Sequence, residues 1–247
     1  MKQRKSSFTF TELLMEIAVI ATLAAMCLPL LTRSREMAKE VQCLDNMKQI
    51  GQCMARYAKD NNDFFPVGEN DAGVTWYQQI AGNYGRGGFF DCPDTVGYAK
   101  IYGIHQALAP SWFPDQLWPR KHRRIGILGQ PGIKMIVSEK GMNHDRNWGY
   151  NDFMTWRARW TDDTVTFQGS RLSCSPELDR DLAPGSSGGW EGPRSVRYRH
   201  NGRNSGLFGD GHASLNAKGS LNWKDNILIE ALNQPGENYY GLGELKQ

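Results

Sequence analysis

The chain has almost no charge surplus. Its formal net charge is +3 over 247 residues, and Lys2, Arg4 and Lys5 account for all of it. Without those three the balance is 26 basic against 26 acidic residues. Bulk attraction to nucleic acid is therefore not expected. The one dense basic run, Arg120-Lys121-His122-Arg123-Arg124, reads as a solvated loop, with a phosphate site as the alternative. No sequence repeat is present, which excludes a solenoid or propeller. The 27 glycines and 11 prolines follow no triplet period, so a collagen-like rod is excluded too. There is no C-x-x-C pair, which leaves a zinc site with little sequence support. Gly185-Ser186-Ser187-Gly188-Gly189 is not followed by Lys-Ser/Thr, so it is loop material and no phosphate cradle. Neither a paired-acid motif nor a Ser-His-Asp order stands out, and an enzyme is not expected.

What is present points to an ordered body. Hydrophobic residues make up 40%, and eight Trp and nine Tyr supply large anchors. The length suits one domain, or one domain with a small appendage.

The first 31 residues are the most informative. A short basic stretch, Met1 to Ser7, precedes an apolar run from Leu13 to Leu31. As a helix that run would measure roughly 28 Å, close to the hydrocarbon thickness of a bilayer. Pro29, then Arg33 and Arg35, follow where a secretory signal would carry small residues at a cleavage site. A plain anchor leaves Glu12 and Glu16 unexplained, because a carboxylate in lipid costs about 3 kcal/mol on insertion scales.

Ser7-Phe8-Thr9-Phe10-Thr11-Glu12-Leu13-Leu14, followed by Ile17 to Met26, resembles the N-terminus of type IV pilins and type II secretion pseudopilins. The resemblance implies that a prepilin peptidase cuts before Phe8 and methylates the new amine. It also implies that Glu12 pairs with a neighbouring subunit's amine in a filament, and that Pro29 permits a bend or melted turn. Two positions depart from the pattern: Ser7 stands where the family usually has Gly, and Glu16 stands where it is apolar. The domains expected are a leader at 1–7, a membrane and filament-core helix at 8–31, and a periplasmic or extracellular body at 32–247. Implied partners are other pilin or pseudopilin subunits, the prepilin peptidase, an inner-membrane assembly platform and an assembly ATPase. The implied location is a single-pass inner-membrane protein with its body in the periplasm, displayed on a surface filament once assembled.

Beyond Pro29 the helical pattern continues to about Lys59. Met37, Val41, Leu44, Met47, Ile50, Met54 and Tyr57 form one apolar stripe, with Lys39, Glu40, Lys48 and Arg56 off it. Gly51 reads as a weak point, and Asp60-Asn61-Asn62-Asp63 as the stop. Cys43 to Gly51, Tyr57 to Asn62 and Phe90-Asp91-Cys92-Pro93 resemble a large branch of prepilin-like proteins. Those proteins also carry a C-terminal box of His, nine residues, then Asp-Gly, matched here by His200 and Asp210-Gly211. The implied fold is α+β and pilin-like: a long N-terminal helix packed on a small antiparallel sheet with long loop insertions. In that topology four of the five cysteines lie outside the cytoplasm. Cys43–Cys92 is then the first candidate disulfide, and Cys53–Cys174 the second.

In the body, Ile133 to Glu139 reads as a strand, Ser195 to His200 and Leu207 to Leu215 read as strands around a turn at Asn201 to Asn204, and Asp210-Gly211 offers a second tight turn or bulge. Lys224 to Asn233 reads as a short helix. His200, Asp210 and His212, with Glu139 nearby, would suit a transition metal or acid–base chemistry. The simpler alternative is that His200 and Asp210 bond each other or backbone and lock the hairpin. Asp162-Asp163 near Asn151-Asp152 would suit calcium, and no other cofactor is suggested. Trp148, Trp156 and Trp160 suit either a platform for sugar rings or a core beneath the loops. The leading expectation is a filament subunit. Its rivals are a surface-displayed module binding glycan or polymer, and a metal-dependent site at His200, Asp210 and His212.

Overall fold

The computed structural model describes residues 9–70, 72–84, 87–93, 102–109, 123–140, 152–153, 166–167, 170–171, 196–221 and 223–232. The chain divides into two compact units, Met1–Ala38 and Lys39–Gln247. The boundary falls seven residues beyond the expected end of the membrane segment, inside a helix.

That helix, α1, runs from Phe10 to Asp60. It passes through Pro29 as α-helix, so no turn is melted there. In the first unit every described residue is exposed except the half-exposed Glu36. The exposed side chains include Ile17, Val19, Ile20, Leu23, Met26, Leu28 and Leu30. The helix is long and apolar enough to cross a membrane, and none of its most apolar stretch is buried. It ends where Asn62 and Asp63 take left-handed backbone angles, φ 53° and 63°.

The second unit is built on a sheet. β1 (Tyr102–His105), β2 (Met135–Glu139), β6 (Arg203–Phe208) and β7 (Ala213–Ala217) pair antiparallel in that order. A two-residue strand, β3 (Asp152–Phe153), adds to the β1 edge in parallel. β4 (Thr166–Phe167) and β5 (Ser170–Arg171) form a separate pair. The fold is α+β, with a long N-terminal helix and a small, largely antiparallel sheet.

Strand register builds two rows on one face of this sheet. Ile104 is opposite Val137, and Val137 is opposite Leu207, which makes an apolar row. One step along, Tyr102 is opposite Glu139, and the Ser205 hydroxyl reaches Glu139 Oε1 at 2.5 Å. Residues two apart on a strand share a face, so the polar row lies beside the apolar one. The later half of α1 matches both rows. Met47, Ile50 and Met54 join the apolar core with Ile104, Val137 and Leu207. A Cβ on Gly51 would stand 2.8 Å from a Leu207 methyl and 3.3 Å from the Gly211 carbonyl. The glycine therefore lets the helix approach β6 closely, which is a packing role for a residue that looks like a weak point.

The expected apolar stripe holds from Leu44 to Tyr57 and fails at its start. Met37 and Val41 are exposed, whereas Glu40, Cys43 and Asn46 are buried. These three recur every third residue and form a polar track along the packed side of the helix. Glu40 belongs there because its Oε2 accepts from Arg203 Nη2 at 2.7 Å.

Three other expectations are corrected. Residues 196–200 form no strand, and only Val196 and His200 make isolated bridges. The strand expected at 207–215 is divided by the turn expected at Asp210-Gly211, into the end of β6 and the start of β7. The helix expected from Lys224 is not one continuous α-helix: a five-residue π-helix at Trp223–Ile227 is followed by a 3-10 helix at Glu230–Leu232.

Candidate functional site

Two places gather the residues that chemistry would use. The first is the start of α1. Ser7 and Phe8 lie outside the described residues. Glu12 closes the helix start locally. Thr9 donates to Glu12 Oε2 from its backbone N–H at 2.9 Å and from its hydroxyl at 2.7 Å. The Glu12 N–H donates back to Thr9 Oγ1 at 3.3 Å. This is a capping box, Thr-x-x-Glu, which satisfies donors that a helix start would otherwise leave open. The pattern is legible in the sequence as Thr9-Phe10-Thr11-Glu12 and is independent of any filament. Glu16 is exposed, one turn further on.

The second place lies at the polar row of the sheet. Cys43 comes from α1, Cys92 from the segment after a 3-10 turn at Gly87–Phe90, Glu139 from the end of β2, and His200 from the turn before β6. The donor atoms of these four residues all lie within 4.8 Å of one another, and all four residues are buried. The Cys43 thiol donates to Cys92 Sγ at 2.8 Å. His200 Nε2 is 3.1 Å from Glu139 Oε1 and 3.7 Å from Cys92 Sγ. The side chains of His200 and Glu139 have no exposed surface. Arg199 Nη1 stands 3.9 Å from Glu139 Oε2. Asn46 donates to the Tyr102 hydroxyl at 3.3 Å and to the Asp91 carbonyl at 3.0 Å, which closes the edge of the cluster.

The electrostatics follow from burial and contact. Burial pulls the His200 imidazole down, but contacts with Cys92 and Glu139 outweigh it and push it up to about 10. The Cys43 thiol is raised, first by its hydrogen bond to Cys92, then by burial and the Glu139 charge. Burial, with Cys43 and Glu139 close by, also raises the Tyr102 phenol.

The His-x9-Asp-Gly box does not form one site. Asn201 and Gly202 have φ of 50° and 74°, and His200 and Arg203 exchange backbone hydrogen bonds of 3.2 and 3.0 Å around them. That is a two-residue hairpin turn of the Asn-Gly kind. β6 then runs its six residues. Gly209, Asp210 and Gly211 make the next turn, with Gly211 at φ 91°. His200 and Asp210 thus lie at opposite ends of a strand that spans roughly 17 Å. Asp210 Oδ1 instead accepts from the His212 backbone N–H at 3.0 Å and lies 2.6 Å from its Nδ1, at an exposed turn. The expected His200, Asp210 and His212 triad is therefore not assembled, because an extended strand separates its members. Nor do His200 and Asp210 lock one hairpin: each serves a different turn. Glu139 does join His200.

Cys43 and Cys92 are adjacent, as two thiols and not as a disulfide. Cys53 is buried, and its thiol donates to the Tyr84 carbonyl at 3.3 Å; Cys174 lies outside the described residues. Trp148, Trp156, Trp160, Asn151, Asp162 and Asp163 also lie outside them, as does the side chain of Asp152. Of the basic run, Arg123 and Arg124 are described: the Arg123 carbonyl accepts from the Phe65 N–H at 2.8 Å, and Arg124 stacks over the Phe64 ring at 4.9 Å. Comparison with protein-family models, curated proteins and solved structures finds no match for the chain.

Proposed function

We propose that this chain is a pilin-like structural subunit, held in a membrane by the first part of α1 and withdrawn from it into a helix-bundled filament. One observation carries the reading. The apolar residues of α1 up to Leu31 are exposed, while the same helix continues into a segment buried against a sheet. Exposed leucines and isoleucines at this density call for a partner outside the chain. Lipid is one such partner and a bundle of like helices another. Processing before Phe8, assembly with other pilin or pseudopilin subunits and contact with an assembly platform belong to this proposal. So do the periplasmic placement of the body and a purely structural role without catalysis.

The capping box sharpens the role of Glu12. A Gln at this position keeps the cap, since Thr-x-x-Gln closes the same contacts. It removes the negative charge that a neighbour's amine would need. The test places a photoreactive residue at Leu23 and compares Glu12 with Glu12→Gln in the native membrane. The proposal expects cross-links to other subunits with Glu12 and their loss in the variant, with membrane insertion unchanged. No inter-subunit cross-link from the Glu12 chain would contradict it.

A further inference from the structure

The buried cluster of Cys43, Cys92, Glu139 and His200 has a chemistry that a filament subunit does not require. Two sulfurs, an imidazole nitrogen and a carboxylate oxygen meet within 4.8 Å. We propose that these four residues form a structural zinc site, with both thiolates, His200 Nε2 and one Glu139 oxygen as ligands.

The donor set fits that ion. Zinc takes four ligands in a tetrahedron, with sulfur at about 2.3 Å and nitrogen or oxygen at about 2.0–2.1 Å. Ligand atoms around one such ion stand roughly 3.3–3.8 Å apart by the same geometry. The sulfurs would open from 2.8 Å and the more distant pairs would close. Each adjustment is about 1 Å, within the reach of side-chain rotation alone. Two thiolates argue against calcium and magnesium, which prefer oxygen.

Charge and surroundings agree. Two thiolates, a carboxylate and a neutral imidazole around a dication sum to one negative charge, and Arg199 lies 3.9 Å from the Glu139 carboxylate to offset it. Ser205 donates to the same carboxylate at 2.5 Å and orients it, as outer residues of metal sites commonly do. Glu139 Oε2 and His200 Nδ1 are buried and have no hydrogen-bond partner among the described residues. On binding, the two thiol protons and the proton carried by the His200 imidazolium leave to solvent, two sulfur–metal bonds and bonds from His200 Nε2 and a Glu139 oxygen form, and no oxidation state changes. All four ligands are buried, so the ion would have no open position for substrate. Its effect would be to tie α1, the segment around Cys92, β2 and the turn before β6 together. A Cys43–Cys92 disulfide would use only the sulfurs and would leave Glu139 and His200 as a buried pair of their own.

The test uses the full chain, extracted in detergent and purified without oxygen or chelator. Elemental analysis should find about one zinc per chain, as a single four-ligand site requires. X-ray absorption should show two sulfur and two nitrogen or oxygen neighbours at the distances above. Cobalt exchanged into the site should give a thiolate charge-transfer band. Cys92→Ser and Glu139→Gln should lose most of the metal, whereas Cys53→Ser should keep it. The spectra of the unaltered chain carry the test if a variant fails to fold. A Cys43–Cys92 disulfide without metal, reduced thiols that take up no added zinc, or zinc retained by the Cys43→Ser, Cys92→Ser double variant would each overturn the site. None of these readings depends on filament assembly.

Discussion

The two parts of α1 differ in a way that composition alone would reverse. Residues 10–38 include its most apolar stretch and are exposed nearly throughout. Residues 39–60 carry Glu40, Asn46, Lys48 and Arg56, yet nine residues of this part are buried. What decides burial is the presence of a matching surface within the chain. The sheet offers an apolar row to Met47, Ile50 and Met54 and a polar row to Cys43 and Asn46. The first part meets no such surface among the described residues of its own unit, and the proposal assigns it lipid or other helices as partner.

The comparison can be broken most forcefully by truncation. Ile50→Ala should destabilise the body by about 2–5 kcal/mol, because it leaves a cavity against the sheet. Ile20→Ala should change the same quantity by no more than about 0.5 kcal/mol. Urea unfolding in detergent, followed by tryptophan fluorescence, measures both. Equal effects would contradict the division.

A charge should produce the opposite asymmetry. Ile20→Arg should cost about 3 kcal/mol of membrane insertion while the unfolding midpoint of the body stays put. Fractionation of membranes, set beside the urea curve, separates the two outcomes.

Acid should attack the body alone. His105 is buried in β1; its Nε2 lies 2.8 Å from the Ile227 carbonyl, and its Nδ1 accepts from the Ala107 N–H at 3.2 Å. The ring is thus held neutral, and burial depresses it to about 4. Its folded value lies below its unfolded value of 6.5. Between these values the unfolded state binds the extra proton. The His105 contribution to stability is therefore full above pH 6.5 and is lost as pH falls toward 4, by about 3 kcal/mol in all. Urea midpoints at several pH values should show this slope, and His105→Gln should flatten it.

The smallest effect belongs to the far turn. Gly211→Ala adds a Cβ in open space at φ 91°, so it should cost only backbone strain, about 1 kcal/mol. The cluster at the near end of β6 should be unaffected, which urea unfolding and thiol accessibility would show.

Part of this is legible in the sequence. The bounds of α1 follow from the apolar run, the helical period and the Asp60 to Asp63 stop. The proximity of Cys43 and Cys92 is an expectation of the pilin-like topology, and strand order raises that of Glu139 and His200. The burial of Glu40 is hidden, because hydrophobic period sees only apolar residues and Arg203 lies far along the chain. The His200, Asp210 and His212 grouping fails because closeness in sequence means separation when the intervening residues are a strand. The lack of a C-x-x-C motif conceals the cluster of metal-ligating residues, since its four members come from four different segments.

The most direct test of the central claim, that the apolar part of α1 passes from membrane to filament, is the intact mass and N-terminal residue of the protein from its native membrane. The account predicts loss of residues 1–7 and a methyl group on the amine of Phe8. A chain that keeps Met1 at its N-terminus would contradict it and would make the apolar helix a permanent anchor.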